Sequence, residues 1–159
     1  MPAAEVRPVE RRWSALTPSG LAEVRAFIRE TLQPVATDEQ IADLVQAVDE
    51  LVCNVLEHGY RGSGPVTVAI VSDDETVVIR IGDAALPFDP RTVRAPRLDL
   101  PLEERPLGGM GIHLARTLTD RFDHRILPDG GNETTLTKLL RPAAAREIDD
   151  GHHDRTPES

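Results

Sequence analysis

The sequence predicts an α/β sandwich, in which a mixed and mostly antiparallel sheet carries its helices on one face. Two observations support this fold class. Two β-branched runs flank the polar turn SDDE, and two later runs flank a turn at residues 129–131, which is typical of antiparallel hairpins. Three other segments repeat apolar residues at the spacing of an amphipathic helix and are interspersed with the hairpins along the chain. Helices with one apolar stripe are expected to pack against one side of such a sheet.

The composition indicates one aliphatic domain without direct contact with nucleic acid or membrane. Hydrophobic residues make up 40% of the 159 residues but aromatic residues only 3%, so Val, Leu, Ile and Ala are expected to form the core. A net charge of −9 argues against nucleic acid or an anionic membrane as partner, because both attract basic surfaces. The single cysteine excludes an internal disulfide, and no apolar run has the length of a membrane-spanning helix. We therefore expect a cytoplasmic protein.

Residues 1–15 are expected to form an N-terminal segment or a first strand, residues 16–141 the folded domain, and residues 142–159 a disordered tail. The domain opens with a helix for which Thr17 is the predicted N-cap and Pro18 the first helical residue. Its apolar positions recur at helical spacing and predict one buried stripe, formed by Leu21, Val24, Phe27, Ile28 and Leu32.

A second helix is predicted from a capping-box pattern, in which Thr37 and Gln40 stand three residues apart. Its apolar stripe extends to Val55, and the helix is expected to end near Gly59. The run VTVAIVSDDETVVIRIGD then predicts a hairpin, and the proline-rich residues 84–107 an irregular loop. The segment GGMGIHLARTLTDRF predicts a third helix. The segment HRILPDGGNETTLTKLL predicts a closing hairpin that turns at residues 129–131.

Three polar residues of the second helix, Glu50, Asn54 and His58, follow one another at four-residue intervals. This spacing places them on one side of the helix, away from the apolar stripe. On spacing alone, an ordinary solvated helix face explains them. The alternative is a site for a hard cation, since an Asn carbonyl offers the oxygen that Mg²⁺ prefers. A carboxylate one turn away from such a site can accept a proton from a hydroxyl group or a water molecule.

Two later segments carry further candidate residues. Asp83 stands where a predicted strand ends, and its carboxylate can either shape a turn or accept hydrogen bonds from an exocyclic amine such as that of adenine. Gly108, Gly109 and Gly111 stand at the start of the third helix, where exposed backbone N–H groups attract anions. Such glycines also occur in ordinary loops. They do not form a Walker loop, because no Lys-Ser or Lys-Thr pair follows them.

In this order, the segments AVDELVCNVLEHGY, PFDP and GGMGIHLARTLTD resemble those of the anti-sigma-factor serine/threonine protein kinases. These kinases are stand-alone members of the Bergerat-fold, or histidine-kinase-like, ATPases. The resemblance covers about residues 20–140 and implies the Bergerat ATP-binding fold. It implies ATP and Mg²⁺ as ligands, with phosphoryl transfer to a serine or threonine of a small anti-anti-sigma antagonist. It further implies that the protein binds a sigma factor and forms a homodimer.

The resemblance also implies roles for individual residues. Asn54 would bind Mg²⁺, and Glu50, one turn earlier, would be the general base. Asp83 would bind the adenine amine. Thr134, or alternatively Thr135, would help to hold a water molecule beside the base.

Three loop glycines would line the phosphates beneath a lid of roughly residues 91–107, namely Gly108, Gly109 and Gly111. His58 would support the site. The chain departs from the family at Ala85, because the adenine motif usually contains Asp-x-Gly and this chain has Asp83-Ala84-Ala85. The added methyl group predicts weakened ATP binding through crowding of the base. This departure keeps a second interpretation open, in which the chain binds nucleotide or partners without transferring phosphate.

Overall fold

Five strands form one antiparallel sheet in the computed structural model, which describes residues 7–92 and 109–140. The strands lie in the order β1-β2-β3-β5-β4, and every neighbouring pair is antiparallel. The predicted α/β sandwich is confirmed, although none of these described strands forms the parallel pair that a mixed sheet would contain. The elements are β1 (Val9–Leu16), α1 (Leu21–Leu32), α2 (Asp38–Asn54), β2 (Gly64–Ser72), β3 (Thr76–Asp83), α3 (Gly109–Thr117), β4 (Arg121–Ile126) and β5 (Asn132–Leu139).

One face of the sheet is buried with the helices in a common core. In β2 and β3 every second residue is buried while its neighbours are more exposed, as expected for strands with one covered face. The stripes predicted for α1 and α2 belong to this core, apart from Val55, which is half-buried. Among the described residues, Phe27 is the one aromatic side chain within the buried cluster, so the core is aliphatic as predicted.

The capping box at the start of α2 is confirmed. The backbone N–H of Gln40 donates to Thr37 Oγ1 at 3.2 Å, and the backbone N–H of Thr37 donates to Gln40 Oε1 at 3.0 Å. These two bonds satisfy donors that the first helical turn would otherwise leave without a partner. The pattern in the sequence therefore identifies the first residue of α2 correctly.

The predicted N-cap of the first helix is wrong. The side chain of Thr17 caps no helix, and its Oγ1 lies 2.9 Å from Ser19 Oγ. Pro18 opens a short 3₁₀ turn that ends at Gly20, and α1 begins only at Leu21. The tighter turn replaces the first α-helical turn, so the threonine lies too far before α1 to cap it.

The last turn of the second helical segment is wider than an α-helical turn. From Val55 to Gly59 the backbone forms a π turn, closed by a hydrogen bond of 2.8 Å from Tyr60 N–H to Val55 O. The helical segment ends at Gly59, as predicted. Because a π turn inserts one extra residue, it rotates His58 away from the straight line of four-residue steps that begins at Glu50.

The second hairpin begins earlier than expected. β4 starts at Arg121, so Arg121 and Phe122 form a strand although the prediction placed them in the third helix. Their backbones pair with β5, and a local pattern cannot show this pairing. The predicted turn is confirmed, and Gly130 and Gly131 within it both have φ of 89°, a conformation that favours glycine.

Some predictions concern residues outside the described ranges. These are Gly108, most of the proposed lid, the tail at residues 142–159 and the first six residues of the N-terminal segment. Within the described ranges, none of the helices is both long and apolar enough to cross a membrane.

Candidate active site

A pocket of about 450 Å³ lies between the end of α2, the end of β3 and the first turn of α3. The strands β4 and β5 contribute to its floor, and the residues after β3 form one wall. Asn54, Asp83 and Thr134, three of the predicted site residues, all line this pocket. Much of the remaining surface is apolar and is provided by Leu51, Val55, Ile81, Leu86, Phe88 and Ile112.

Asp83 is a half-buried carboxylate that lines this pocket. Its Oδ1 accepts hydrogen bonds from Ala85 N–H and from Asn132 Nδ2, both at 3.0 Å. Burial raises the pKa of the Asp83 carboxyl group, and the hydrogen bonds from Asn132 and Ala85 offset part of that effect. Its Oδ2 makes no hydrogen bond with the described residues and can accept one from a ligand amine.

Asn132 holds the segment after β3 in place, a role that the sequence analysis missed. It is 5% exposed and stands opposite Asp83 in the β3–β5 register. Besides its bond to Asp83, its Nδ2 donates to Leu86 O at 3.1 Å, and its Oδ1 accepts from Phe88 N–H at 2.9 Å. Only the pairing of two distant strands brings these groups together, so no local signal could have identified this residue.

Tyr60 fixes the start of the same segment from the other side. Its hydroxyl group donates to Pro65 O and accepts from Ala84 N–H, both at 2.6 Å. Burial raises the pKa of this hydroxyl group. Tyr60 thus joins the end of the π turn to the backbone that follows Asp83, and this contact was also not predicted.

Asn54 ends α2 and lines the pocket. It is half-buried, and its side-chain amide makes no hydrogen bond with another described residue. The amide oxygen is therefore available as a cation ligand. Within residues 7–92 and 109–140, no group of three or more His, Cys, Asp or Glu side chains is arranged to hold a metal ion. Asn54 fits Mg²⁺ as a single protein ligand, since this ion usually keeps water and phosphate ligands.

Glu50 lies one turn before Asn54 but does not line the pocket. Its half-buried carboxylate contacts the first turn of α3, which begins at Gly109. A Cβ built on Gly111 would lie 2.5 Å from Glu50 Oε2, so glycine leaves the space that this carboxylate uses. The structure therefore brings Glu50 and Gly111 together, next to the end of the pocket at Ile112.

Thr134 and Thr135 lie on opposite faces of β5. Thr134 is 8% exposed and lines the pocket, whereas Thr135 pairs with Arg80 on the other face of the sheet. Of these two alternatives, Thr134 is the one that faces the pocket. Beside it, His124 of β4 also lines the pocket, and its Nδ1 lies 3.4 Å from Thr134 Oγ1. His124 was not predicted, because only the β4–β5 register brings it there.

His58 also lines the pocket, about half exposed, with its Nε2 4.0 Å from Glu57 Oε2. The apolar residues Leu51 and Val55 line the same cavity. The prediction that the polar side of this helix faces away from the apolar stripe is therefore wrong at its end. There Leu51, which also belongs to the core, and the half-buried Val55 form part of the pocket wall.

The methyl group of Ala85 packs against Gly59. Ala85 is 7% exposed, and a Cβ built on Gly59 would lie 2.9 Å from the Cβ of Ala85. Because Gly59 has no side chain, the methyl group of Ala85 has room beside it. Both residues line the pocket, and weakened nucleotide binding through this methyl group stays a prediction.

The profile of the histidine kinase-like ATPase domain family matches residues 14–138. The chain belongs to this family. The matched span contains every residue that lines the pocket, together with Glu50, Gly109 and Gly111. The resemblance inferred from the three sequence segments is therefore confirmed at the level of the family.

The chain is also similar to bacterial proteins named serine-protein kinase RsbW. The protein from Bacillus cereus is 29% identical over 130 residues, which cover 76% of this chain and 80% of that protein. The Bacillus mycoides protein is 27% identical over the same shares. The Listeria monocytogenes protein is 28% identical over 115 residues, or 69% of this chain and 72% of that protein. These similarities support kinase activity for this chain, whose domain belongs to the histidine kinase-like ATPase family.

Proposed function

We propose that the chain is an ATP-dependent serine/threonine protein kinase and anti-sigma factor, which phosphorylates a small anti-anti-sigma antagonist protein. The observation that carries this proposal is the meeting of Asn54, Asp83 and Thr134 in one pocket, with Glu50 at the adjoining turn of α3. Membership of the family and the similarity to serine-protein kinases support it.

The proposed base site lies at the β3 end of the pocket. The Oδ2 of Asp83 would accept a hydrogen bond from the exocyclic amine of adenine, while Oδ1 stays bound to Asn132 and Ala85. Thr134 would hold a water molecule beside the base. The apolar walls can pack against the faces of a flat ring. Ligand pockets commonly combine such apolar surface with a few polar groups that orient the ligand.

The proposed phosphate site lies where α2 meets α3. Asn54 would hold Mg²⁺ through its amide oxygen, and bound Mg²⁺ supplies positive charge that offsets the charge on the phosphates. Gly109 and Gly111, with the preceding Gly108, would present backbone N–H groups to the phosphates. The nine-residue α3 adds the favourable field of a helix N-terminus.

Glu50 is the proposed general base of the transfer. It would accept the proton of the antagonist hydroxyl group while that oxygen forms a bond to the terminal phosphorus of ATP. The bond between this phosphorus and the bridging oxygen breaks, and ADP leaves. Such transfers depend mainly on positioning and charge neutralisation, so the fixed place of Glu50 against Gly111 matters as much as its basicity.

The decisive experiment combines the purified chain, Mg-ATP and a candidate antagonist, and measures phosphoserine or phosphothreonine on the antagonist. We expect transfer by the wild type and a decrease of about 10²- to 10⁴-fold in Glu50→Gln, with ATP binding retained. The matched control is Glu57→Gln, since Glu57 is exposed on the π turn that follows α2 and does not line the pocket. Transfer that survives Glu50→Gln unchanged would exclude the proposed base.

A second candidate function is partner binding without phosphoryl transfer. Ala85 favours it, because a methyl group stands on the pocket wall where the family motif has glycine. In that case the chain binds the antagonist or a sigma factor, yet Mg-ATP produces no phosphorylated antagonist. Calorimetric titration of both partners, run beside the transfer assay, separates the two functions.

The proposal extends to the assembly and location of the protein. We propose a homodimer in the cytoplasm that binds the sigma factor and the antagonist and does not itself contact nucleic acid or membrane. Light scattering measures the mass of the full chain in solution. A monomer at micromolar concentration, with or without Mg-ATP, would contradict the dimer without affecting the proposed kinase activity.

A further inference from the structure

A row of three side chains crosses the pocket floor from β3 to β4. The strand registers place Ile81 opposite Thr134 and Thr134 opposite His124, so the three share one face of the sheet. All three line the pocket. Asp83 lies two residues beyond Ile81 on β3 and therefore on the same face. Polar groups thus stand at both sides of the floor, a carboxylate on β3 and an imidazole on β4.

The imidazole of His124 contains a polar atom that the protein does not satisfy. Its Nε2 is shielded from solvent and has no hydrogen-bond partner among the described residues. Its Nδ1 has one long contact, at 3.4 Å to Thr134 Oγ1. A histidine that merely completes a core is expected to have its nitrogens paired, because a buried polar atom without a partner is unfavourable. Because the residue lines the pocket, a rotation of its ring would turn Nε2 toward a ligand there, where this nitrogen would gain the partner that the described residues do not provide.

The charged groups around the ring are engaged elsewhere. Asp89 and Arg91, from the segment after β3, form a salt bridge at 2.8 Å. Asp83 receives its two hydrogen bonds on Oδ1. Burial is the main effect on the ring and lowers the pKa of His124, which favours the neutral imidazole. A neutral imidazole can donate or accept one hydrogen bond through its remaining nitrogen.

We propose that His124 is a base-recognition residue, which gives a bound purine a second polar contact on the β4 side of the floor, across from Asp83. This assignment rests on the proposed function, since it takes ATP as the ligand. The contact involves the base alone, because the proposed phosphate site lies at the first turn of α3. His124 therefore contributes to the affinity for a nucleotide and not to the affinity for a chain of phosphates.

The test measures binding of Mg-ATP and of Mg-tripolyphosphate to the full chain by calorimetry. We expect His124→Leu to weaken ATP binding about tenfold and to leave tripolyphosphate binding within about twofold. His124→Gln, which keeps a hydrogen-bonding group, should recover part of the loss. His113→Leu is the matched control, because His113 is exposed on α3 and does not line the pocket.

A second measurement uses the wild type and does not depend on how the variants fold. ATP should shift the ¹⁵N resonance of His124 Nε2, whereas tripolyphosphate should not. An unchanged resonance on ATP binding, or equal losses of ATP and tripolyphosphate affinity in His124→Leu, would overturn the assignment of His124.

The two proposals fail in different ways. A wild-type chain that binds no ATP overturns the proposed function and this assignment with it. If Asp83→Asn abolishes ATP binding and His124→Leu leaves it unchanged, the pocket is a nucleotide site and only the role of His124 is wrong.

Discussion

Among single residues, Asp83 combines a cost in stability with a proposed role in binding. Burial raises the pKa of its carboxyl group, and hydrogen bonds from Asn132 and Ala85 offset this effect only in part. The folded protein therefore carries an ionised group that it would accommodate better in neutral form. Perturbed carboxylates of this kind are frequent at functional sites, which agrees with a contact to the amine of a base.

Asp83→Asn is expected to stabilise the fold at pH 7 and to weaken ATP binding about 10- to 100-fold. Because the folded pKa lies above the ordinary value of 3.8, the ionised carboxylate lowers the free energy of unfolding at neutral pH. This destabilisation by the ionised carboxylate disappears as the pH falls through the folded pKa toward the ordinary value. Denaturant unfolding at several pH values should therefore show an advantage of the variant that shrinks with acidity. An advantage that grows toward low pH would contradict this account.

Gly111→Ala is expected to slow phosphoryl transfer about 10- to 100-fold with the fold intact. The new methyl group would occupy the position 2.5 Å from Glu50 Oε2, so the carboxylate must move. Single-turnover transfer to the antagonist measures the effect, and circular dichroism checks the fold. His113→Ala, at an exposed position of the same helix, is the control and should transfer at the wild-type rate.

Among the elements, α2 is the one that positions most of the proposed chemistry, and its start depends on the capping box. Thr37→Ala should lower the free energy of unfolding by about 1 kcal/mol, because it removes the acceptor for Gln40 N–H. Thr17→Ala should change it by less than about 0.5 kcal/mol, since Thr17 is exposed and caps no helix. Urea unfolding of both variants measures the difference. Equal losses of unfolding free energy in the two variants would show that the capping box does not stabilise the protein.

The contact between the π turn and the segment after β3 can be measured with a double-mutant cycle. Gly59→Ala should destabilise the fold by about 1–3 kcal/mol, because the new Cβ would lie 2.9 Å from the Ala85 Cβ. In the Ala85→Gly background the same change should cost clearly less, with a coupling of at least about 0.5 kcal/mol. Thermal unfolding of the four proteins gives the coupling, and strictly additive losses would show that the two positions do not share this space.

The elements that the sequence predicted well are those with local signals. The capping box of Thr37, the apolar stripes and the two polar turns each depend on residues a few positions apart. The errors occur where distant contacts decide the structure. Arg121 and Phe122 continue the apparent third helix in sequence, yet their pairing with β5 makes them a strand.

For the molecule as a whole, nucleotide binding and stability should be linked. A ligand that binds only the folded state at 100 times its dissociation constant adds about 2.7 kcal/mol to the free energy of unfolding. Mg-ATP should therefore raise the melting temperature of the wild type by several degrees. Asp83→Asn at the same ATP concentration should show a smaller rise. Scanning fluorimetry measures both, and an unchanged wild-type melting temperature at millimolar Mg-ATP would contradict the proposed site.

The site as a whole was only partly predictable, because it is assembled from distant segments. The resemblance pointed to Asn54 and Asp83, whose motifs are short and continuous, and the structure places both in one pocket. It could not point to Asn132, which bonds with residues 44 to 49 positions away. It could not point to His124 either, since that position depends on the register of β4 against β5.

The central pairing of β3 with β5 also bears on the order in which the molecule folds. A short turn joins β2 to β3, whereas the bond between Asp83 and Asn132 closes a loop of 49 residues. Closing the longer loop costs more chain entropy, so this pairing is expected to form late in refolding. The pocket lies at that junction. Nucleotide binding can therefore stabilise only the product of the final folding step and cannot assist the earlier steps.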